Sequence, residues 1–234
     1  MSVPDPTSST VHAVEALMID HFRNEPFHNL SLIYQSRIDA AVPGGTCSDH
    51  ALNFVAAGVR AGLDVSLHSG FIDEQEIHRL ARIQIGTRRY FADVGNGWPA
   101  IKLYPADAAI SFRCFGMAFR TEIAGDRVRV FHDKLGKETL LMEIETHCKP
   151  DAQIRADIER RFSSGIVYPF SKSIRFSQIV GSRFLFLRGP RLEIYSENEF
   201  DCIEGIEESE VPAVLLEHFG FDIRPFLHDL PHEI

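Results

Sequence analysis

The sequence predicts an α+β fold, and three observations carry that prediction. Apolar residues recur at helical spacing up to Ala61. From Asp64 to Ile144 the period falls to two, as in half-buried strands. After Pro150 helical and strand-like segments alternate. Helices, then antiparallel strands, then a mixed end is the order of an α+β chain, not of a doubly wound α/β one.

The elements follow in order. Val11, Val14, Leu17, Met18 and Phe22 give a helix over Thr10–Arg23, which Pro26 ends. A polar connection leads to the turn Pro43-Gly44-Gly45. A second helix runs from Cys47 to Ala61, with Leu52, Val55, Ala56 and Val59 as its expected buried stripe and Gly62 as its stop. Val65, Leu67, Ile83 and Ile85 alternate with polar residues. Tyr90–Val94, Ile101–Tyr104, Val128–Phe131 and Thr139–Ile144 read as further strands of the same sheet or barrel. A helix is expected over Asp151–Phe162, then strands near Phe184–Leu187 and Leu192–Tyr195. The last helix, Pro212–Phe219, has the acidic lead-in Glu208-Ser209-Glu210 suited to a helix N-terminus.

Composition narrows the function. The 234 residues, 44% of them apolar, can bury a large core. A net charge of -9 argues against general nucleic-acid binding, which needs a basic face. The charge is uneven, however. Lys172, Arg175, Arg183, Arg188 and Arg191 fall in a stretch without acids, and residues 193–210 then hold eight acids and no base. These read either as two solvated faces or as a local seat for a polyanion such as a phosphate-bearing thiol cofactor. Cys47, Cys114, Cys148 and Cys202 show neither zinc spacing nor a disulfide framework, so reduced thiols in a cytosol are expected. The first residues have no basic start or apolar stretch, and no run is long enough to span a membrane, so a cytoplasmic protein is expected.

Gly44-Gly45-Thr46-Cys47 is the most informative segment. Thr46 sits where an N-cap belongs and Asp49 follows three residues on, a version of the capping box. Cys47 then lies in the first turn, where free N–H groups and the positive dipole end favour a thiolate. Those N–H groups could also hold an oxyanion, and the two glycines let a substrate come close. The plainer alternative is a small core residue at a helix start. A hairpin adds to the functional reading. With Gly86-Thr87 as a two-residue loop, Ile85 opposes Arg88, Leu80 opposes Asp93 and His78 opposes Gly95. His78 and Asp93 become diagonal neighbours on one face; a one-residue slip would separate them. Cysteine, imidazole and carboxylate are the parts of a thiol nucleophile, its base and its orienter. The sequence has no HExxH and no tight His/Cys cluster, so no metal site is expected.

Gly44-Gly45-Thr46-Cys47, His78 and Asp93-Val94-Gly95-Asn96-Gly97 resemble the active-site segments of arylamine N-acetyltransferases. Pro26-Phe27-His28-Asn29-Leu30 resembles that family's Pro-Phe-Glu-Asn-Leu, and Ala61-Gly62-Leu63-Asp64-Val65 its Leu-Gly-Phe-Asp-Val. Ser171-Lys172-Ser173 with Gln178 resembles the segment that lines the coenzyme A site in some members. The chain departs from the pattern at Pro43 (arginine in the family), Asp49 (glutamate), Ala51 (asparagine) and Asn96 (commonly aromatic).

The resemblance implies an N-terminal helical bundle over 1–63 carrying the nucleophile, an antiparallel β-barrel over 64–148 carrying His and Asp, and an α/β lid over 149–234, around a cysteine-protease-like or transglutaminase-like core. It implies Cys47 as acyl-accepting nucleophile, His78 as base and Asp93 as orienter. Ser171, Ser173 and Gly97 are the implied cofactor contacts. The implied reaction is ping-pong acetyl transfer from acetyl-CoA, through a cysteine thioester, to an arylamine or similar small-molecule amine, with no metal. The same parts allow three other readings. These are an amide synthase taking acyl chains from a carrier-protein thioester in natural-product biosynthesis, a cysteine hydrolase, and a non-enzymatic descendant.

Overall fold

The computed structural model describes residues 6–147, 149–162, 168 and 170–228. Helix α1 (Pro6–Asn24) buries Val14, Met18 and Phe22, as the periodicity predicts. Strand β1 (Phe27–His28), the short helix α2 (Leu30–Tyr34) and a 3₁₀ turn lead to helix α3 (Cys47–Arg60).

The buried face of α3 is rotated from the expected stripe. Cys47, His50, Ala51, Phe54, Val55 and Gly58 are buried, whereas Val59 is 59% exposed. Two contacts set the rotation. The Phe54 ring is fully buried, which stabilises by about 2 kcal/mol. At Gly58 a side chain would meet Val65 Cγ1 at 2.8 Å, so only glycine lets the helix lie this close to the next strand.

The chain then runs up and down through β2 (Asp64–Ile72), β3 (Gln75–Ile85), β4 (Arg88–Ala92), β5 (Tyr104–Pro105), β6 (Ser111–Cys114), β7 (Met117–Ala124), β8 (Arg127–Lys134) and β9 (Lys137–Glu145). They form one antiparallel sheet in the order β5-β4-β3-β2-β9-β8-β7-β6. Its two ends do not pair with each other, so the sheet is a curled half-barrel. Leu80, Phe91, Tyr104, Val130 and Ile144 pack together against it. The β3–β4 turn is the two-residue loop expected: Ile85 pairs with Arg88, and only Gly86 has a positive φ (59°), the type II′ pattern. The expected strand over Ile101–Tyr104 is reduced to Tyr104–Pro105. Ahead of it, tight turns return Ala100 N–H to the Trp98 carbonyl and Ile101 N–H to the Pro99 carbonyl, so no extended ladder forms there.

After α4 (Asp151–Glu159) come β10 (Arg175–Val180), β11 (Arg183–Arg188), β12 (Arg191–Tyr195) and β13 (Phe200–Glu204). They extend a second antiparallel sheet, in the order β1-β10-β11-β12-β13. The last predicted helix is α5 (Val211–Val214), continued as a wider π turn over Leu215–Phe219 and closed by left-handed Gly220. Its residues Val211, Leu215 and Phe219 pack with Phe176, Leu185 and Leu187. Another cluster joins Met18, Phe54, Ile83, Phe119 and Phe184, drawn from helices and both sheets. Among the described residues no helix is long and apolar enough to cross a membrane.

Candidate active site

Cys47 stands at the first position of α3. The Thr46 N–H and hydroxyl both donate to the Asp49 carboxylate, at 2.9 and 3.0 Å. Arg161 donates to the other Asp49 oxygen at 2.7 Å. The loop before the helix is equally fixed. Gly44 and Gly45 have φ of 94° and 142°, and a side chain at Gly44 would meet the Pro26 carbonyl at 2.1 Å. His28 Nε2 donates to the Pro43 carbonyl at 2.8 Å. His50 Nε2 donates to the Pro26 carbonyl at 3.2 Å, so its neutral Nδ1 accepts from His21 Nε2 at 2.8 Å. Desolvation lowers His21 to about 4 and His50 to about 3, which keeps this pair, one from α1 and one from the first turns of α3, uncharged.

β3 delivers His78 and the end of β4 delivers Asp93. The register places the two side chains on one face, as the two-residue loop predicts, and His78 Nε2 donates to Asp93 Oδ1 at 2.8 Å. The second ring nitrogen, Nδ1, is left on the side of Cys47, whose thiol donates to the Ile77 carbonyl at 3.9 Å and is close enough to His78 for each to shift the other's protonation. All three residues are buried: 5% exposed for Cys47, 1% for His78 and 0% for Asp93. The loop after Asp93 touches the nucleophile directly. A side chain at Gly95 would stand 2.6 Å from Cys47 Cα, so this position needs a bare backbone.

The electrostatics favour a thiolate–imidazolium pair. Burial alone would raise the Cys47 thiol, but the His78 hydrogen bond and charge, then the backbone N–H and charge of Arg79, bring it below its ordinary value. Burial alone would lower His78, but the Asp93 charge and hydrogen bond, with help from Cys47, lift it to about 10. Cys114, by contrast, is pushed up to about 12 by burial. Cys148 lies outside the described residues.

Asn96 is a site residue that the sequence reading noted only as a departure. Its side-chain amide donates to Asp93 Oδ2, and its carbonyl oxygen accepts the Trp98 N–H at 2.7 Å. Arg161 is a second such residue, arriving from just beyond α4. The spacing Asp-x-x-Asn is a local signal for the first; nothing local signals the second.

The expected cofactor residues are more dispersed. Ser173, with Lys172, lines a cleft of about 240 Å³ that Tyr34 and Glu208 also border. Ser171 is not part of that lining; its N–H donates to the Tyr168 carbonyl at 3.0 Å. Gly97 is buried against Phe27 and Phe186, with φ of 83° and its carbonyl bonded by Ser177. Among the described residues no group of three or more His, Cys, Asp or Glu could hold a metal.

No family model matches the chain, and no curated protein sequence does. Solved structures do match. The arylamine N-acetyltransferase from Mycobacterium abscessus aligns at TM-score 0.75 and 17% identity, over 93% of this chain and 86% of that one. The enzyme from Salmonella typhimurium aligns at 0.73 and 15%, over 100% and 90%. The Mycobacterium marinum enzyme, solved in complex with CoA, aligns at 0.74 and 17%, over 92% and 88%. This chain has the arylamine N-acetyltransferase fold. Within it, Cys47, His78 and Asp93 converge at the junction of α3 and the half-barrel.

Proposed function

We propose that the protein is an acyltransferase that moves an acetyl group from acetyl-CoA through a Cys47 thioester to an aromatic amine. The observation that carries this reading is the buried grouping of Cys47, at the first position of α3, with the hydrogen-bonded pair His78–Asp93, in which Cys47 and His78 each shift the other's protonation. The fold shared with a CoA-complexed arylamine N-acetyltransferase supports it.

In the first half-reaction the Cys47 thiolate attacks the thioester carbonyl, and first-turn N–H groups of α3 receive the developing oxyanion. The C–S bond to CoA breaks, and the His78 imidazolium gives its proton to the departing CoA thiolate. Thioester exchange is close to isoenergetic, so positioning and a formed thiolate are the main requirements. In the second half-reaction the amine attacks the acyl-cysteine, His78 takes the amine proton, and Cys47 leaves as thiolate. Asp93 keeps His78 in the tautomer that serves both steps.

Ser171 and Ser173 are the groups we assign to the donor, with Gly97 keeping the intervening loop narrow. The division into 1–63, 64–148 and 149–234, with the last part as a lid over a cysteine-protease-like core, belongs to the same proposal, as does a cytoplasmic location. The test is pre-steady-state release of CoA from acetyl-CoA without amine. One thiol per protein should appear in a burst that Cys47→Ala abolishes. Steady release without a burst would favour hydrolysis, and no release from acetyl-CoA, with release from an acyl-carrier thioester, would move the donor to a carrier protein.

A further inference from the structure

Between the β8–β9 turn and the β11–β12 turn lies a cavity of about 560 Å³. Its lining is strongly one-sided in charge. Lys134, Arg188 and Arg191 surround the single acid, Glu193, whose side chain is only 6% exposed, at 3.1, 3.8 and 3.5 Å. Lys137 adds a fourth cation at the rim. Arg191 also lies 3.6 Å from Glu204, an exposed pair that neutralises little. One buried carboxylate shared by these cations leaves the cavity with excess positive charge and unused donors. Arg188 Nε and His132 Nε2 are both buried without a hydrogen-bond partner, and His132 is 2% exposed. Such orphaned buried groups cost free energy unless something fills the space.

The same cavity has an aromatic wall. Trp98 and His132 lie with ring centroids 4.7 Å apart, and Lys134 Nζ stands 4.6 Å from the Trp98 ring centre. The chain at Trp98 is also tied to the triad: its backbone N–H donates to the Asn96 side-chain oxygen, and the Asn96 amide donates to Asp93. Aromatic surface beside several cations fits a flat ring bearing a doubly charged anionic group.

We propose that this cavity binds an aromatic ligand carrying a dianionic group, such as an aryl phosphate, and that the acceptor for acyl-Cys47 is an amine of that class. The binding claim stands on the cavity alone; the acceptor role rests on the acyltransferase reading.

Trp98 is the chain's only tryptophan, so its fluorescence reports on the cavity directly. Phenyl phosphate should change that emission saturably, with phenol and inorganic phosphate each at least about tenfold weaker. Arg188→Gln should weaken phenyl phosphate by about tenfold. Lys137→Gln, at an exposed position that cannot cost the fold, should weaken it measurably. Equal response to phenol and phenyl phosphate, or unchanged affinity in both variants, overturns the site. One-for-one displacement of phenyl phosphate by adenosine 3′,5′-bisphosphate, the phosphate-bearing part of CoA, gives the cavity to the donor and overturns the acceptor role. The readout uses unacylated protein, so its failure is distinguishable from a failure of Cys47 to acylate.

Discussion

Asn96 donates its side-chain amide to the Asp93 carboxylate oxygen that His78 leaves free. The triad's acid, itself without exposed surface, is thereby held at both oxygens. Removing a donor from a buried carboxylate costs about 2 kcal/mol. Asn96→Ala should lose that much stability in urea titration and slow Cys47 alkylation at mildly acidic pH. A variant unchanged in both would remove Asn96 from the site.

Cys47 should react ahead of the other buried thiol. Its pKa is lowered, so its thiolate persists as pH falls below the ordinary thiol range of about 8.5. Cys114, raised to about 12, should stay silent in the folded protein. Iodoacetamide labelling followed by peptide mapping over a pH series checks this. A Cys47 rate that rises only above the ordinary thiol pKa would contradict the thiolate–imidazolium pair.

Asp49 holds three donors: two from Thr46 and one from Arg161. Asp49→Ala should cost about 1–2 kcal/mol, in the range of a lost helix cap with its ion pair. It should also slow Cys47 alkylation, since the first turn of α3 loosens. Asp49→Asn keeps the acceptor for the Thr46 N–H and should recover part of both losses. If Asp49→Asn is as damaged as Asp49→Ala, the cap is not the source of the effect.

Acid should destabilise the fold through its buried histidines. His21, His50, His68 and His132 are lowered to about 4, 3, 4 and 4. Their folded values lie below the unfolded 6.5, so in the window between, the unfolded chain binds protons that the native state refuses. Stability therefore falls as pH falls from about 6.5 toward 4, by up to about 1.4 kcal/mol per pH unit for each histidine. His78 runs the other way. Its contribution is complete below 6.5 and is lost as pH rises through about 10. Urea midpoints that stay flat from neutral pH to about 5, or His21 and His50 ring resonances that titrate near 6.5, would contradict the buried, uncharged pair.

The sequence displayed the parts of the site whose geometry is local. A glycine pair, Thr46 and Asp49 announce a helix start, and Cys47 follows. A two-residue loop fixes the parity that puts His78 and Asp93 on one face. Features set by distant chain were not legible. Strand β1 is two residues long and exists because Phe27 and His28 meet Ser177 and Phe176. Arg161 reaches Asp49 across 112 positions. The buried stripe of α3 could not be read from periodicity, because Leu52, Val55, Ala56 and Val59 are as regularly spaced as the face that is buried. Packing of Phe54 and the close approach at Gly58 decided between them. The cavity beside Trp98 joins two turns remote in sequence, and only part of the basic run, Arg188 and Arg191, reaches it.

The central claim is that Cys47 carries the acyl group. Intact-protein mass after incubation with acetyl-CoA, without amine, tests it most directly. The account predicts a gain of one acetyl group, mapped to Cys47 and absent from Cys47→Ala and His78→Ala. An unmodified mass, or an acetyl group placed on another residue, would contradict it.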